Sequence, residues 1–531
     1  MFARAVLRGL VNKHGASRAI ERVPAYTFVT EVYERRHRIL DLGVALMVRY
    51  QPLPLVCQGT FRYFFRVISC EFVDRFFYCQ NELSSTTFAQ NKFFLIASAE
   101  VLLTNVSRMG PQMSSVTERS QSTVSTEEVR KQFPALERIH NGFPVAYFDG
   151  AGGTQTPRVV VDAVADYLLN HNANTHWEYP TSHETDEIID QARYAFADFL
   201  NASANEIVFG PNTTTMIYHL SRALGRQLGP GDEIVITELE HHANVAPWQA
   251  LVAERGLTLR AAQMDPETGQ LDWNDFERLV GKKTKVVSFG AGCNALGTVN
   301  DYRRAVEMAH SVGALALVDA VHYAPYFLCD VKDTNCDFLT CSAYKFYGPH
   351  MSVFYGKKDL LESIDFPKLE PAPNTAPERA EMGTQNHEGI AGAAATVDFY
   401  ASLVPQAASP RPRRHLLQAA FEGLRAHSSA QVGHLWRELS SINGVRLYGP
   451  PPEVARTPTV SFIIDRVAST EVARRLAERG LFASHGDFYA ATVIERLGLA
   501  PEGLVRVGCA CYTSDDESER LIEAVKEIAK G

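Results

Sequence analysis

From about residue 127 onward, short apolar runs alternate with stretches in which apolar positions recur every third or fourth residue. This is the pattern of strands feeding amphipathic helices. EIVFG (206–210) precedes TTTMIYHLSRAL, DEIVITE (232–238) precedes NVAPWQALVAERG, and KVVSFG (285–290) precedes DYRRAVEMAHSVG; ALALVDA (314–320) and CDFLTCS (336–342) complete the set. The alternation predicts an α/β domain with a mostly parallel sheet over 127–400, preceded by a helical segment. After Pro-rich breaks at 371–377 and 405–412, a smaller α+β domain is predicted over 411–531. It comprises TVSFIID (459–465), a helix over 469–480, LVRVGCA (504–510) and a terminal helix over 515–529.

Residues 1–112 differ in kind. They carry 14 Lys+Arg against 8 Asp+Glu in a chain whose net charge is −9, are crowded with Phe and Tyr, and show no clear period. The first 20 residues, MFARAVLRGLVNKHGASRAI, are basic and acid-free, as mitochondrial transit peptides are. The preferred reading is a poorly structured extension or an upstream translated stretch with the native start at Met109 or Met113, since MSSVTERSQSTVSTEEVRKQFP reads as an ordinary polar N-terminus leading into a helix. A cytoplasmic protein is therefore expected, with a mitochondrial one as the alternative.

Bulk properties narrow the function. With 531 residues, 46% of them hydrophobic and 21% charged, the chain can bury a sizeable core. The net negative charge and the lack of a basic stripe after residue 112 argue against a nucleic-acid partner. No run of apolar residues is long enough to predict a membrane span. The nine cysteines form no CxxC pair and no zinc-ligand spacing, so reduced thiols and no metal site are expected.

In open α/β sheets, ligands collect beyond the carboxyl ends of the strands. Here those ends carry polar residues. GPNTTT (210–215) offers Thr213 and Thr214 at a helix start, where free N–H groups suit a phosphate. ELEHHAN (238–244) supplies His241, CNALGT (293–298) supplies Asn294, VDAVH (318–322) supplies Asp319 and His322, and CSAYKFYGP (341–349) supplies Ser342 and Lys345. Each has an ordinary explanation alone: a helix cap, a turn, a solvated cation. Together they supply a phosphate cradle, an imidazole platform, an amide donor, a carboxylate for a pyridinium nitrogen and a lysine for an aldehyde, which are the requirements of pyridoxal 5'-phosphate.

At this point residues 130–531 resemble the class V aminotransferase family of fold-type I pyridoxal-phosphate enzymes, and most nearly its cysteine desulfurase and selenocysteine lyase branch. The resemblance rests on YFDGAGGTQTP (147–157), NANTHW (172–177), ELEHHANVAPW (238–248), NALGT (294–298), SAYKFYGP (342–349), EMGTQN (381–386) and LVRVGCACYT (504–513). It implies that Lys345 bonds the cofactor and moves the α-proton, Asp319 faces the pyridinium nitrogen and His241 covers the ring. Thr213, Thr214 and Ser342 would bind the phosphate, with Thr384 supplied by the other protomer of a homodimer. Asn294 would lie near the ring oxygen or the substrate, with His322 beside the ring oxygen; Arg506 would grip the substrate carboxylate, and Asn174 would lie on the substrate side. The substrate implied is an amino acid.

The chain departs from that branch at three places. His322 stands where glutamine is usual, keeping a hydrogen-bond donor but adding a titratable group. Tyr344 precedes the lysine where desulfurases have histidine. The stretch that in desulfurases carries the persulfide-forming cysteine reads FASHGDFYAAT (482–492) and contains none, although His485, Asp487 and Tyr489 could line a pocket there. The expected activity is therefore C–S, C–Se or other β-lyase chemistry, with transamination or epimerisation as alternatives and a non-catalytic sulfur-trafficking scaffold as a further one.

Overall fold

The computed structural model describes residues 123–405 and 411–531. The expectations for residues 1–112, including a transit peptide and an internal start, lie outside the described residues. Among the described residues no helix is long and apolar enough to cross a membrane.

A seven-stranded sheet is built from β1 (Ile207–Gly210), β2 (Glu233–Thr237), β3 (Thr258–Ala262), β4 (Thr284–Gly290), β5 (Leu315–Asp319), β6 (Phe338–Ser342) and β7 (Ser352–Gly356), in the order β1-β7-β6-β5-β4-β2-β3. β7 is antiparallel to both of its neighbours, while the pairs running from β6 through β3 are all parallel. The sheet is thus parallel with a single reversed strand. Seven strands are the number the resemblance implies, and β3 and β7 are the two that were not located in the sequence; β3 is a partly exposed edge strand.

The central strands are apolar on both faces because helices cover both. Ile234, Ile236, Leu317, Phe338 and Phe354 point to one side, against Ile217 and Leu220 of α2 (Thr213–Gly225) and Trp248 and Leu251 of α3 (Ala246–Arg255). Val235, Phe289, Val318, Leu339 and Val353 point to the other, toward Phe196 and Phe199 of α1 (Pro180–Leu200) and Ile390 and Val397 of α5 (His387–Ser402). Local signals set the helix ends. The Asn212 side chain accepts from the Thr215 N–H at the start of α2, and Asp301 accepts from Arg304 N–H at the start of α4 (Tyr302–Ser311). α3 stops at Gly256, whose φ of +70° suits a residue without a Cβ.

A four-stranded antiparallel sheet follows, of β8 (Val445–Tyr448), β9 (Thr459–Ile464), β10 (Ser484–Gly486) and β11 (Leu504–Gly508), in the order β8-β9-β11-β10. It packs on the second half of α6 (Arg413–Ser440), on α7 (Ser469–Glu478) and on α8 (Asp515–Lys530). Residues near the start of the described chain pack beside this sheet. Ala146 and Tyr147 form a separate two-stranded parallel sheet with Leu481 and Phe482, Ala146 and Phe148 enter the same core, and Asp149 bridges to Gly508 of β11. At Gly150 a Cβ would lie 2.9 Å from the Gly508 carbonyl oxygen, so only glycine allows that approach.

One buried ion pair ties the large sheet to the segment after residue 377. Arg193 of α1 donates from both terminal nitrogens to Glu381 at 3.1 Å, and Glu381 also accepts from the Phe209 N–H at 2.9 Å. Arg193 is 6% exposed and Glu381 9%, so removing the Glu381 charge leaves Arg193 buried with only the more distant Glu378, 3.7 Å away, as a charged partner among the described residues. Glu381→Gln should therefore lower the unfolding free energy by on the order of 3 kcal/mol in urea titrations, and a change under about 0.5 kcal/mol would show that the pair bears little on the fold.

Candidate active site

Five loops that leave the carboxyl ends of β1, β2, β4, β5 and β6 converge on one cavity of about 600 Å³, mouth included. Thr213, Thr214, His241, Asn294, Asp319, His322, Ser342 and Lys345 line it. The convergence follows from topology: parallel strands end at the same edge of the sheet, so residues more than a hundred positions apart in sequence meet there.

Lys345 lies in a short turn after β6 and is 8% exposed. Its Nζ donates to the carbonyls of Ala151 at 2.7 Å and Gly152 at 2.8 Å, and it stands 5.1 Å from the centre of the Tyr344 ring. Burial pulls its pKa from 10.5 down to about 7; nearby Arg506 pushes the same way, and Asp149 and Asp319 oppose. Much of the amine is thus unprotonated near neutral pH, the state in which it is a nucleophile and a base.

Asp319 ends β5 and is 7% exposed. One carboxylate oxygen accepts the Val321 N–H at 2.9 Å, and no ion pair reaches the group among the described residues. Burial raises its pKa from 3.8 to about 6. Glu240, not singled out from sequence, lines the same cavity and is fully buried, with its pKa raised by burial to about 7 despite bonds from Thr237, Asn244 and Gly290. The only sign of it in the sequence was an acid at the end of an apolar run.

Both histidines are held neutral. His241 accepts the Ala243 N–H on Nδ1 at 3.1 Å, which leaves the ring proton on Nε2, and burial with the Lys345 charge lowers its pKa to about 4. His322 is fully buried against the hydroxyls of Thr457 and Thr459, at 2.9 and 3.2 Å, and burial holds its pKa well below 6.5. The histidine in place of a glutamine therefore adds no charge near neutral pH, contrary to the expectation of a titratable group.

Near the start of α2, Thr213 Oγ1 lies 2.9 Å from Ser342 Oγ and 3.1 Å from Thr340 Oγ1, a cluster of buried hydroxyls, while Thr214 is exposed at the cavity. Asn294 Nδ2 donates to the Phe488 carbonyl at 2.9 Å, and its buried Oδ1 has no hydrogen-bond partner among the described residues. Arg506, on β11, is buried beside this group and donates to the Asn294 carbonyl at 3.1 Å. Asn174 and Thr384 are exposed and do not line the cavity of this chain. Tyr489 lies over the His241 side, its ring centre 5.7 Å from the imidazole, and its carbonyl accepts the His242 N–H. His485 bonds instead to Thr470 at 3.3 Å.

The donor set fits pyridoxal phosphate. An unpaired buried carboxylate calls for a cation, and the protonated pyridine nitrogen is one. A buried, largely neutral lysine amine held by two backbone carbonyls suits an electrophile, and the hydroxyls and N–H groups at the start of α2 suit an anion.

Because the folded-state pKa of Asp319 lies above its unfolded value, the folded chain holds an extra proton between about pH 4 and 6, and stability falls as pH rises through that window. Asp319→Asn removes this burden. In urea titrations at about pH 8 the cofactor-free variant should be more stable than the parent by about 1–3 kcal/mol, with the difference closing below about pH 4. Equal or lower stability at the higher pH would contradict the assignment of an unpaired buried charge.

Residues 146–521 match the family model Aminotransferase class-V. The cysteine desulfurase of Synechococcus elongatus is 33% identical over 424 residues, a match that covers 76% of this chain and 64% of that protein; the chain thus spans less than two thirds of that relative. The cysteine desulfurase of Dickeya dadantii is 31% identical over 418 residues, covering 76% of this chain and 96% of that one. Among solved structures, the apo cysteine desulfurase of Thermococcus onnurineus NA1 superposes with a TM-score of 0.68 at 28% identity, covering 76% of this chain and 98% of that one. The sheet, the cavity at its carboxyl edge and these likenesses agree: the chain belongs to the class V aminotransferase family, with the fold-type I architecture and pyridoxal 5'-phosphate as its cofactor.

Proposed function

We propose that the protein is an enzyme acting at the α carbon of a small amino acid, with β-lyase chemistry on a C–S or C–Se bond as its reaction. The observation that carries this reading is the placement of a buried amine with a pKa near 7 and a buried unpaired carboxylate in one cavity. Desulfurases are the curated relatives, but residues 482–492 hold no cysteine. All six cysteines among the described residues are buried, with Cys293, beside Asn294, pushed up to about 11 by burial. A thiol in that state is neither exposed nor ionised, so it is a poor acceptor of sulfur.

When bound, the cofactor draws electron density from the substrate's α carbon and makes its proton acidic. Lys345 would hold the cofactor through its aldehyde and would serve as the base for the α-proton. Asp319 would hold the pyridine nitrogen in its protonated state. The neutral His241 ring would lie against the cofactor, and Asn294 and His322 would supply polar contacts to it or to the substrate. Thr213, Thr214 and Ser342 hold the phosphate with the N-terminal dipole of α2. Arg506 receives the α-carboxylate with its planar fork. The α-proton and the β-substituent leave, and water converts the remainder to a keto acid and ammonia. A homodimer is part of this reading: Thr384 and Asn174, both exposed in one chain, would serve the partner's cavity. A purely structural scaffold has no need of the buried lysine, carboxylate and arginine together.

Two outcomes test this. With L-cysteine as substrate, the purified loaded protein should form pyruvate, ammonia and sulfide in equal amounts; alanine formed with a protein persulfide would contradict it and restore a desulfurase. For the cofactor-free protein, the rate at which pyridoxal phosphate develops its protein-bound visible absorbance should rise with pH and level off above about pH 7, because only the neutral amine reacts and Lys345 loses its proton there. A rise that continues to about pH 10 would place the reacting amine on a lysine in water.

A further inference from the structure

Arg506 is 4% exposed and all its guanidinium nitrogens are engaged. Nε donates to Ser484 Oγ at 3.2 Å, Nη1 to the Asn294 carbonyl at 3.1 Å and Nη2 to Asp149 Oδ1 at 3.4 Å, while the Phe488 ring lies 4.1 Å beneath it. Of these partners only Asp149 is charged, and it is also in contact with water: its side chain is 47% exposed, that of Arg506 5%. The fork already holds a carboxylate.

Asp149 reaches it on a turn with one purpose-built gap. The Asp149 carbonyl accepts the N–H groups of Gly152 and Gly153 at 2.7 and 2.9 Å, and a Cβ on Gly152 would fall 2.4 Å from the Asp149 carboxylate as it stands, so this placement of the carboxylate uses the space that glycine leaves open. The Ala151 and Gly152 carbonyls of this same turn hold Lys345. One loop therefore touches both Lys345 and Arg506.

We propose that Asp149 is the resident carboxylate of the Arg506 fork and that an amino-acid ligand binds by displacing it, which makes Asp149 a specificity-determining residue for carboxylate ligands. This rests on the reading that Arg506 receives the substrate carboxylate. An incoming carboxylate gains only the difference between its own bonds to the guanidinium and those it replaces, so the resident group weakens every carboxylate ligand by the same factor. The exposed side of Asp149 lets it turn into water without a new desolvation cost. A ligand that lacks the carboxylate cannot use the exchange.

The test titrates the cofactor-loaded protein with 2-aminoisobutyrate, which has no α-proton to lose, and with its amide, reading dissociation constants from the visible spectrum. Asp149→Asn should bind the acid about five- to tenfold tighter than the parent, a change of about 1–1.4 kcal/mol, and the amide with unchanged affinity. Asp149→Glu, which keeps the charge, should bind the acid as weakly as the parent. Asp149→Ser should repeat the tightening and supplies the result if Asp149→Asn does not fold. Arg506→Gln should bind the acid no better than the amide. If Arg506→Gln loses the acid but the uncharged Asp149 variants bind it no tighter, the displacement is overturned and the role of Arg506 stands. If Arg506→Gln holds the acid as the parent does, the role of Arg506 fails and the displacement with it.

Discussion

The site depends on keeping the Lys345 amine out of water. An ammonium on a flexible stem prefers solvent, and burying it without a counter-ion close by makes the neutral form competitive near pH 7. Two backbone carbonyls of the 149–153 turn hold the amine in place, but neither carries a full charge to stabilise the protonated state. The nearest carboxylates raise its pKa, and the nearest guanidinium lowers it. The outcome is an amine that is largely neutral near pH 7.

That position requires both sheets. The parallel sheet brings Lys345 and Asp319 to one edge through adjacent strands, with Asp319 in register with Thr340 two residues before Ser342. The antiparallel sheet brings Arg506 on β11 and, through the bridge of Gly508 to Asp149, the turn that holds the lysine. The contact between Lys345 and the glycine turn, and that between Arg506 and the Asn294 carbonyl, both run from one sheet to the other. A shift of one sheet against the other would move both cations at once.

Much of this was legible in the sequence because parallel strands have a simple rule: apolar runs end at the ligand. Thr213, His241, Asn294, Asp319, His322, Ser342 and Lys345 all follow such runs, and each lines the cavity. What was missed carried a weaker or differently placed signal. β3 is a partly exposed edge strand with few apolar positions, and β7 is a buried apolar run that follows the lysine turn with no helix between to announce it. Asp149 meets Arg506 across 357 positions, and the long-range bridge of Asp149 to Gly508 sets that contact. Glu240 stands beside the histidine that drew attention, yet its burial comes from Gly290 and Asn244 folding over it. The neutrality of His322 is likewise a product of Thr457 and Thr459, on a distant segment.

The central claim is that this one lysine bonds the cofactor. Borohydride reduction of the loaded protein fixes a carbon–nitrogen bond irreversibly, and peptide mass spectrometry then reads which side chain carries the added pyridoxyl phosphate. The account predicts a single labelled peptide, with the mass on Lys345; label on any other lysine, or none after full loading, would contradict it.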